Sequence, residues 1–240
     1  MDAPVERIAE EVLSQLRTIQ PAQPVDTDVA PFIDHTLLRP DVTSDEIDRL
    51  CAEAVLHGFA SVCVQPCHVS RAADRLAHQS VAVGSVVGFP HGATLTTAKR
   101  AEAEALIEAG ATELDMVLPV GLLKDCRWSA VADDITAVVG AASGSDVLVK
   151  VIIEACLLTD REKVIACVIA ESRGADYVKT STGFADGGAT VDDVALMKLA
   201  VGDRLGVKAA GGVRTREVAL AMIAAGATRL GTSSGPTLIG

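Results

Sequence analysis

"VLVKVIIEACLLTDREKVIACVIAESRGADYVKTS", residues 147–181, contains one complete strand–helix–strand repeat. Two runs rich in β-branched residues, 147–153 and 175–181, flank a helical segment at Asp160–Ser172. Thr159 and the acidic residues after it are an N-terminal helix signal, and Gly174 suits the left-handed conformation that ends a helix. This order predicts two parallel strands joined by a right-handed crossover.

The same repeat continues along the chain. Strands are predicted at 32–36, 60–65, 81–89, 112–119, 147–153, 175–181, 206–211 and 228–234. Helices between them are predicted at Ser44–Leu56, Thr97–Ala109, Trp128–Ala141, Asp160–Ser172, Val191–Leu199 and Arg214–Ala225. Eight such units favour an α/β TIM (β/α)8 barrel. The alternative is an open doubly wound sheet, but such sheets usually carry a GxGxxG or Walker A loop, and the sequence has neither.

Two regions are predicted. Residues 1–31 form an amphipathic helix at about 4–19 and a Pro-rich connector, "QPAQPVDTDVAP", whereas residues 32–240 form the catalytic barrel. The helix is expected to plug the barrel bottom or to make an oligomer contact. The N-terminus lacks the apolar segment of a signal peptide, and no apolar run is long enough to cross a bilayer, so a cytoplasmic protein without membrane association is expected.

Composition excludes several classes of function. The net charge is -11 and aromatic residues make up 2%, which disfavours binding to nucleic acid or to an anionic membrane. The six cysteines form no CxxC pair, so reduced thiols are expected. The five histidines lack HxH or HxxxH spacing, and no metal site is expected. His91, in "GFPHG", either lines a pocket or is structural.

Charged residues at the predicted strand ends are candidates for chemistry, because barrel enzymes work at that face. They are Asp34, Asp115, Lys150, Glu154, Lys179 and Lys208. A single strand lysine can also snorkel or lie at an edge. Lys179 and Lys208, however, belong to consecutive strands, which lie about 4.8 Å apart. Repulsion and burial would lower the pKa of each, and a lysine with a lowered pKa can attack a carbonyl to form a Schiff base.

Three further residues have two interpretations each. Asp115, in "ELDMV", forms an ion pair with a lysine, transfers protons, or does both. Asp34, in "IDHT", binds substrate hydroxyls or caps a turn. Cys63 is a pocket thiol or a packed core residue.

The last two predicted strands are followed by glycine-rich loops, "AAGGVRTRE" and "LGTSSG". Glycines let backbone N–H groups approach an anion, and barrel enzymes often hold phosphate after strands seven and eight. Each loop alone fits an ordinary tight turn, but the two in this order favour a phosphate site. Arg214 adds charge to that site or caps its helix.

In order, these motifs resemble those of the deoxyribose-phosphate aldolase family. The resemblance runs from Phe32 to Gly235 through "IDHTLLRPDVT", "SVCVQP", "VVGFPHG", "ELDMV", "KVIIE", "YVKTSTGF", "VKAAGGVR" and "LGTSSG". It implies a class I lyase without metal or cofactor. Such an enzyme reversibly cleaves 2-deoxy-D-ribose 5-phosphate into D-glyceraldehyde 3-phosphate and acetaldehyde, a step in deoxyribonucleotide catabolism.

The resemblance also implies residue roles. Lys179 would form the Schiff base, Lys208 would perturb its pKa, and Asp115 would join the proton relay. Substrate and phosphate contacts are implied for Asp34, Thr36, Gly183, Gly211, Gly212, Val213, Arg214, Gly231, Ser233 and Ser234. Cys63 and Lys150, chosen above for their strand positions, are predicted as further substrate contacts. A homo-oligomer, either dimer or tetramer, is expected.

The sequence departs from the family pattern in two places. Phe184 stands where some members have a lysine that helps to bind phosphate. Some members also carry a terminal tyrosine implicated in proton transfer, whereas this sequence ends at Gly240, so water does that step or the tail is dispensable. The alternatives are a Schiff-base aldolase for another sugar phosphate and a non-catalytic barrel that binds phosphorylated ligands.

Overall fold

The computed structural model describes residues 2–16 and 25–239, in which eight parallel strands close into a barrel. The strands are β1 Ile33–Leu37, β2 Ser61–Val64, β3 Ala82–Val87, β4 Glu113–Val117, β5 Leu148–Ile152, β6 Tyr177–Lys179, β7 Gly206–Ala210 and β8 Arg229–Thr232. Each strand pairs with the next, and β8 pairs with β1, where Ile33 lies opposite Leu230. This closure confirms the TIM barrel and excludes the open sheet. All eight strands lie where the sequence predicts them.

Helices alternate with the strands as predicted. They are α1 Asp2–Leu16, α2 Ser44–His57, α3 Val69–Arg75, α4 Thr96–Glu108, α5 Val120–Lys124, α6 Trp128–Ala142, α7 Asp160–Ser172, α8 Val191–Val201, α9 Arg216–Ala224 and α10 Gly235–Leu238. The six predicted barrel helices agree with the structure to within two residues at each end. Short helices α3, α5 and α10 were not predicted, because they span only seven, five and four residues.

Local signals explain where several helices begin and end. Thr43 and Thr159 form capping boxes with Glu46 and Glu162, so side chains satisfy backbone N–H groups in the first turns of α2 and α7. Gly174, which follows α7, has a positive φ of 81°, a conformation that glycine adopts without steric cost. These features mark the starts of α2 and α7 and the end of α7.

The two faces of each strand have different environments. Outward-facing residues such as Val62, Leu114 and Val151 are buried against the helices in the main core. Alternate residues face the barrel interior. There the Nζ atom of Lys208, on β7, lies 2.7 Å from Oδ2 of Asp115 on β4. Since these strands are not neighbours, the contact crosses the interior of the barrel.

The N-terminal helix α1 packs against α7 and α8 in the outer layer. Glu6 Oε1 accepts a hydrogen bond of 2.8 Å from Arg161 Nη2 of α7. This placement disfavours the plug of the barrel bottom, and the oligomer contact stays a prediction. Residues 17–24, where the helix was predicted to end and the connector to begin, lie outside the described residues. Within the described chain, no helix has the length and apolar character needed to span a membrane.

A buried ion pair joins α4 to α6 on the outside of the barrel. Lys99 Nζ donates to Asp134 Oδ2 at 2.6 Å and to the carbonyl oxygen of Val117 at 2.8 Å, and both charged side chains are almost wholly buried. Burial lowers the pKa of Lys99, against the attraction of Asp134. The pair connects two helices with the end of β4.

Asp134→Ala is therefore expected to lower the free energy of unfolding by about 3–5 kcal/mol, because it leaves the buried ammonium without its carboxylate. Equilibrium urea unfolding measures the change. Asp133→Ala is the matched control, since Asp133 is the preceding residue on α6 and is exposed. Similar losses in the two variants would contradict the role assigned to the pair.

Candidate active site

Seven charged side chains lie together in the barrel interior and are here called the charge cluster. Its members are Asp34, Glu113, Asp115, Lys150, Lys179, Lys208 and Arg229. The prediction that the candidates lie at strand ends holds for Lys179 alone among the five predicted members. It is wrong for Asp34, Asp115, Lys150 and Lys208, which lie within their strands. They reach the cluster because alternate strand residues point into the barrel interior.

Sequence reasoning missed Glu113 and Arg229. The sequence contains a signal that could have placed each of them in the barrel interior. Glu113 lies two residues before Asp115 in the same strand, so it must face the same side. Arg229 begins β8 and pairs in register with Lys208, so it faces the interior as well.

Asp115 is the centre of the charge cluster. Its Oδ2 atom lies 2.7 Å from Nζ of both Lys179 and Lys208, and its Oδ1 atom lies 3.1 Å from Nζ of Lys150. Burial would raise the pKa of Asp115, but the three ammonium groups hold it well below its usual range. The predicted ion pair is thus confirmed, and Asp115 is a fixed anion. Its part in proton transfer stays a prediction.

Lys179 has the environment that the sequence predicted for a reactive amine. It ends β6 and lies directly opposite Lys208 on β7. Burial lowers the pKa of Lys179, and repulsion by Lys208 lowers it further, whereas Asp115 acts in the opposite direction. The net effect is a pKa below the ordinary value, which increases the fraction of free amine near neutral pH.

Lys208 behaves differently from the prediction. Its Nζ atom lies 2.5 Å from Asp34 Oδ2 in addition to its contact with Asp115. Burial lowers the pKa of Lys208, but attraction to Asp115 and Asp34 outweighs burial and places it above the usual value. The prediction that each lysine lowers the pKa of the other is therefore wrong for Lys208. It has two carboxylate partners within 3 Å and stays charged.

The other members of the charge cluster form a second set of ion pairs that connects to Asp115 through Lys150. Lys150 Nζ lies 2.5 Å from Glu113 Oε2 and 3.5 Å from Asp34 Oδ2. Arg229 donates to Glu113 Oε1 at 2.7 Å and also to Asp34. These contacts make Lys150 a support for Asp115, and its role as a substrate or phosphate ligand stays a prediction. Asp34 forms ion pairs here, so the alternative that it only caps a turn is wrong.

The charge balance of the cluster favours a neutral Lys179. Four basic groups face three carboxylates, so the fully ionised cluster carries one excess positive charge. Attraction to their carboxylates places the pKa of Lys150, Lys208 and Arg229 above the ordinary values, in spite of burial. Loss of the proton from Lys179 balances the cluster, and a bound iminium would restore the positive charge.

The glycine loops after β6 and β7 lie against each other. Gly183, Gly211 and Gly212 all have φ values of 82–83°, and a Cβ atom on Gly211 would lie 3.5 Å from the Cα atom of Gly183 and 3.0 Å from that of Gly188. The structure thus brings together two of the three segments predicted to hold phosphate. Gly231 lies next to them in β8, opposite Ala210.

The other predicted phosphate residues lie in the loops after β7 and β8. Val213 is buried, whereas Arg214 and Ser233 are exposed. Helix α9 begins at Arg216 with Thr215 as its cap, so Arg214 belongs to the loop and not to the predicted helix. The backbone N–H of Ser234 donates to Thr232 Oγ1 at 3.0 Å. The phosphate roles of these residues stay predictions.

The remaining predicted residues line the interior and its opening. Thr36 Oγ1 donates to the backbone oxygen of Asp34 at 2.8 Å. Cys63 is buried beside Val86, and burial raises the pKa of its thiol to about 11. Its role as a substrate contact stays a prediction. Phe184 is 53% exposed and makes an edge contact with Phe89, with ring centroids 5.1 Å apart.

His91 borders two cavities, of about 500 Å³ and about 120 Å³, the second also lined by Phe184. Neither cavity is lined by Lys179, Asp115 or Lys208, so the pocket role of His91 stays a prediction. All six cysteines are free thiols. Among residues 2–16 and 25–239, no group of three or more His, Cys, Asp or Glu side chains is arranged to hold a metal ion.

Comparison with known proteins shows which family this chain belongs to. The family model described as "DeoC/LacD family aldolase" matches residues 29–237. The deoxyribose-phosphate aldolase of Brevibacillus brevis is 56% identical over 208 residues, which cover 87% of this chain and 93% of that protein. The deoxyribose-phosphate aldolase of a Geobacillus strain is 55% identical over 215 residues, covering 90% and 96%.

Among solved structures, the deoxyribose phosphate aldolase from Aeropyrum pernix, described as tetrameric, superposes with a TM-score of 0.83. Its sequence is 32% identical, and the match covers 100% of this chain and 97% of that one.

Proposed function

Because the chain belongs to the DeoC/LacD family of aldolases, we propose that it reversibly cleaves 2-deoxy-D-ribose 5-phosphate through a Schiff base on Lys179. The products are D-glyceraldehyde 3-phosphate and acetaldehyde. The observation that carries the proposal is the position of Lys179. Its amine has a lowered pKa and lies 2.7 Å from Asp115, beside a permanently charged Lys208.

The chemistry begins when the free amine of Lys179 attacks the aldehyde carbon C1 of the open-chain sugar. Loss of water gives an iminium, which draws electrons from the neighbouring bonds. Removal of the proton from the C3 hydroxyl then breaks the C2–C3 bond and releases D-glyceraldehyde 3-phosphate. The electron pair of that bond forms an enamine on Lys179, and protonation at C2 followed by hydrolysis releases acetaldehyde.

Asp115 assists the proton transfers through water in this proposal. The ammonium groups of Lys150 and Lys208 stay charged when Lys179 is a free amine and keep the pKa of Asp115 low, so this carboxylate passes a proton on and does not store it. The 5-phosphate lies away from the reacting carbons and contributes binding energy through the glycine loops, including Gly183 and Gly211. Support for that position comes from the contact between these two loops, of which the first follows the strand that ends at Lys179.

Covalent trapping tests the proposal directly. Incubation with acetaldehyde and borohydride is expected to add one ethyl group to Lys179, detected by mass spectrometry of the digested protein. Absence of an adduct on Lys179 would rule out the aldolase and favour the non-catalytic phosphate-binding barrel. An adduct together with cleavage of another sugar phosphate, but not of deoxyribose 5-phosphate, would favour the second Schiff-base aldolase.

A cytoplasmic homo-oligomer, dimer or tetramer, is proposed as the working form. Six free thiols suit a reducing compartment. The tetrameric description of the Aeropyrum pernix relative supports self-association. Light scattering of the purified protein measures the assembly, and a monomer at working concentration would contradict it.

A further inference from the structure

Glu154 is a buried carboxylate in the loop between β5 and α7, outside the charge cluster. Its backbone is left-handed, with φ 52° and ψ 64°, and the residue is only 4% exposed. Left-handed residues other than glycine are uncommon, and they persist where the surrounding contacts hold them. The chemistry of Lys179 makes no use of this side chain, so its burial needs another reason.

The contacts of the Glu154 carboxylate are with the loop that follows Lys179. Its Oε1 atom accepts from the backbone N–H of Thr182 at 3.2 Å, and its Oε2 atom accepts from Thr182 Oγ1 at 2.5 Å. Thr182 Oγ1 in turn accepts from the backbone N–H of Phe184 at 3.1 Å. The carboxylate therefore holds Thr182 directly and Phe184 through the Thr182 hydroxyl, on the two sides of Gly183.

Backbone hydrogen bonds fix the position of Glu154 relative to β6. The N–H of Ile153 donates to the carbonyl oxygen of Lys179 at 3.0 Å, and the N–H of Ala155 donates to that of Thr180 at 2.8 Å. The segment around Glu154 thus runs beside the end of β6, past the last residue of the strand. Glu154 lies between two anchored neighbours, and its carboxylate reaches a loop that begins at the proposed Schiff-base lysine.

We propose that Glu154 is a positioning residue that holds the backbone N–H of Gly183 toward the 5-phosphate by fixing Thr182. This inference rests on the proposed function. Glu154 itself is not a phosphate ligand, because its carboxylate and the phosphate are both negatively charged. Its hydrogen bonds go instead to the N–H and hydroxyl donors of Thr182. Gly183 already faces Gly211 of the next phosphate loop, so a shift of either neighbour would open the proposed anion site.

Glu154→Gln tests the proposal while preserving the size of the side chain. The amide offers one acceptor oxygen in place of two and carries no charge, so either the backbone N–H or the hydroxyl proton of Thr182 loses its carboxylate acceptor. The KM for deoxyribose 5-phosphate is expected to rise about tenfold with a smaller change in kcat, and inhibition by inorganic phosphate should weaken by a similar factor. Cleavage of unphosphorylated 2-deoxyribose should change less than about twofold, because that substrate has no phosphate to hold.

Variants of Thr182 provide a matched pair. Thr182→Val removes the hydroxyl that joins Glu154 to Phe184 and should reproduce the selective loss on the phosphorylated substrate, whereas Thr182→Ser should behave like the wild type. The double variant Glu154→Gln, Thr182→Val should lose little more than either single variant, since both break one network. This pair decides the question if Glu154→Gln fails to fold.

The outcomes separate this inference from the proposed function. Wild-type protein that does not cleave deoxyribose 5-phosphate would overturn the proposed function itself. Active wild-type protein with an unchanged Glu154→Gln variant would overturn only the role of Glu154. Equal losses on the phosphorylated and unphosphorylated substrates would also overturn it, because a general distortion of the barrel affects both.

Discussion

Lys179→Ala is expected to lower the rate of deoxyribose 5-phosphate cleavage by about 10⁴-fold or more, because it removes the nucleophile. The fold should survive, since Asp115 keeps Lys208 at 2.7 Å and Lys150 at 3.1 Å. The variant also removes the one positive charge by which the cluster exceeds neutrality. A coupled assay for D-glyceraldehyde 3-phosphate measures the rate, and circular dichroism checks the fold.

Two controls accompany this variant: one tests whether a positive charge is enough, and the other tests the loss of a lysine outside the barrel interior. Lys179→Arg keeps a positive group but cannot supply a free amine near neutral pH, so it should be as inactive as the alanine variant. Lys124→Ala removes a half-exposed lysine that pairs with Glu162 on the outside of the barrel, and it should retain wild-type activity. More than about a tenth of wild-type activity in Lys179→Ala would refute the covalent mechanism.

The fold could be predicted because its signals are local. Several strands are short runs rich in β-branched residues, and threonine caps and terminal glycines mark the helices, so the order of elements follows from the sequence. Barrel closure follows from the count of eight strands. The same motifs indicated the family, which the comparisons confirm. Short helices such as α10 carry too few residues for a periodic signal.

The site was predicted less completely, because its interactions depend on register. Lys179 and Lys208 were expected together since their strands are consecutive, and β6 and β7 pair them directly. The contact of Asp34 with Lys208 crosses from β1 to β7, and only closure of the barrel brings those strands within reach. Together with the contact to Asp115, it reverses the expected pKa shift of Lys208. No feature of the sequence signals the left-handed conformation of Glu154.

Lys208→Met and Asp115→Asn are expected to move the reactivity of Lys179 in opposite directions along the pH scale. Lys208 repels the ammonium form of Lys179 and lowers its pKa, whereas Asp115 attracts that form and raises it. Removing Lys208 should raise the pKa, so the amine becomes free only at higher pH. Removing the charge of Asp115 should lower the pKa, so the amine becomes free at lower pH.

Trapping with acetaldehyde and cyanoborohydride over a range of pH measures this effect without requiring cleavage of the sugar. Turnover of deoxyribose 5-phosphate should fall about 10²–10⁴-fold in each variant, because both disturb proton transfer next to the Schiff base. Loss of turnover alone therefore does not distinguish the two residues. The direction of the shift in trapping does, with Lys124→Met as a control expected to leave the profile unchanged.

Opposite shifts would be hard to explain by damage to the barrel. Lys208→Met leaves Asp115 with Lys150 and Lys179, and Asp115→Asn leaves Lys208 with Asp34, so each variant keeps part of the network. General disorder would expose Lys179 and move both profiles toward that of an ordinary lysine, which is upward. A downward shift in Asp115→Asn is therefore the decisive result, because only an electrostatic effect of Asp115 on a buried amine produces it. Shifts of the same sign would contradict the assigned electrostatics.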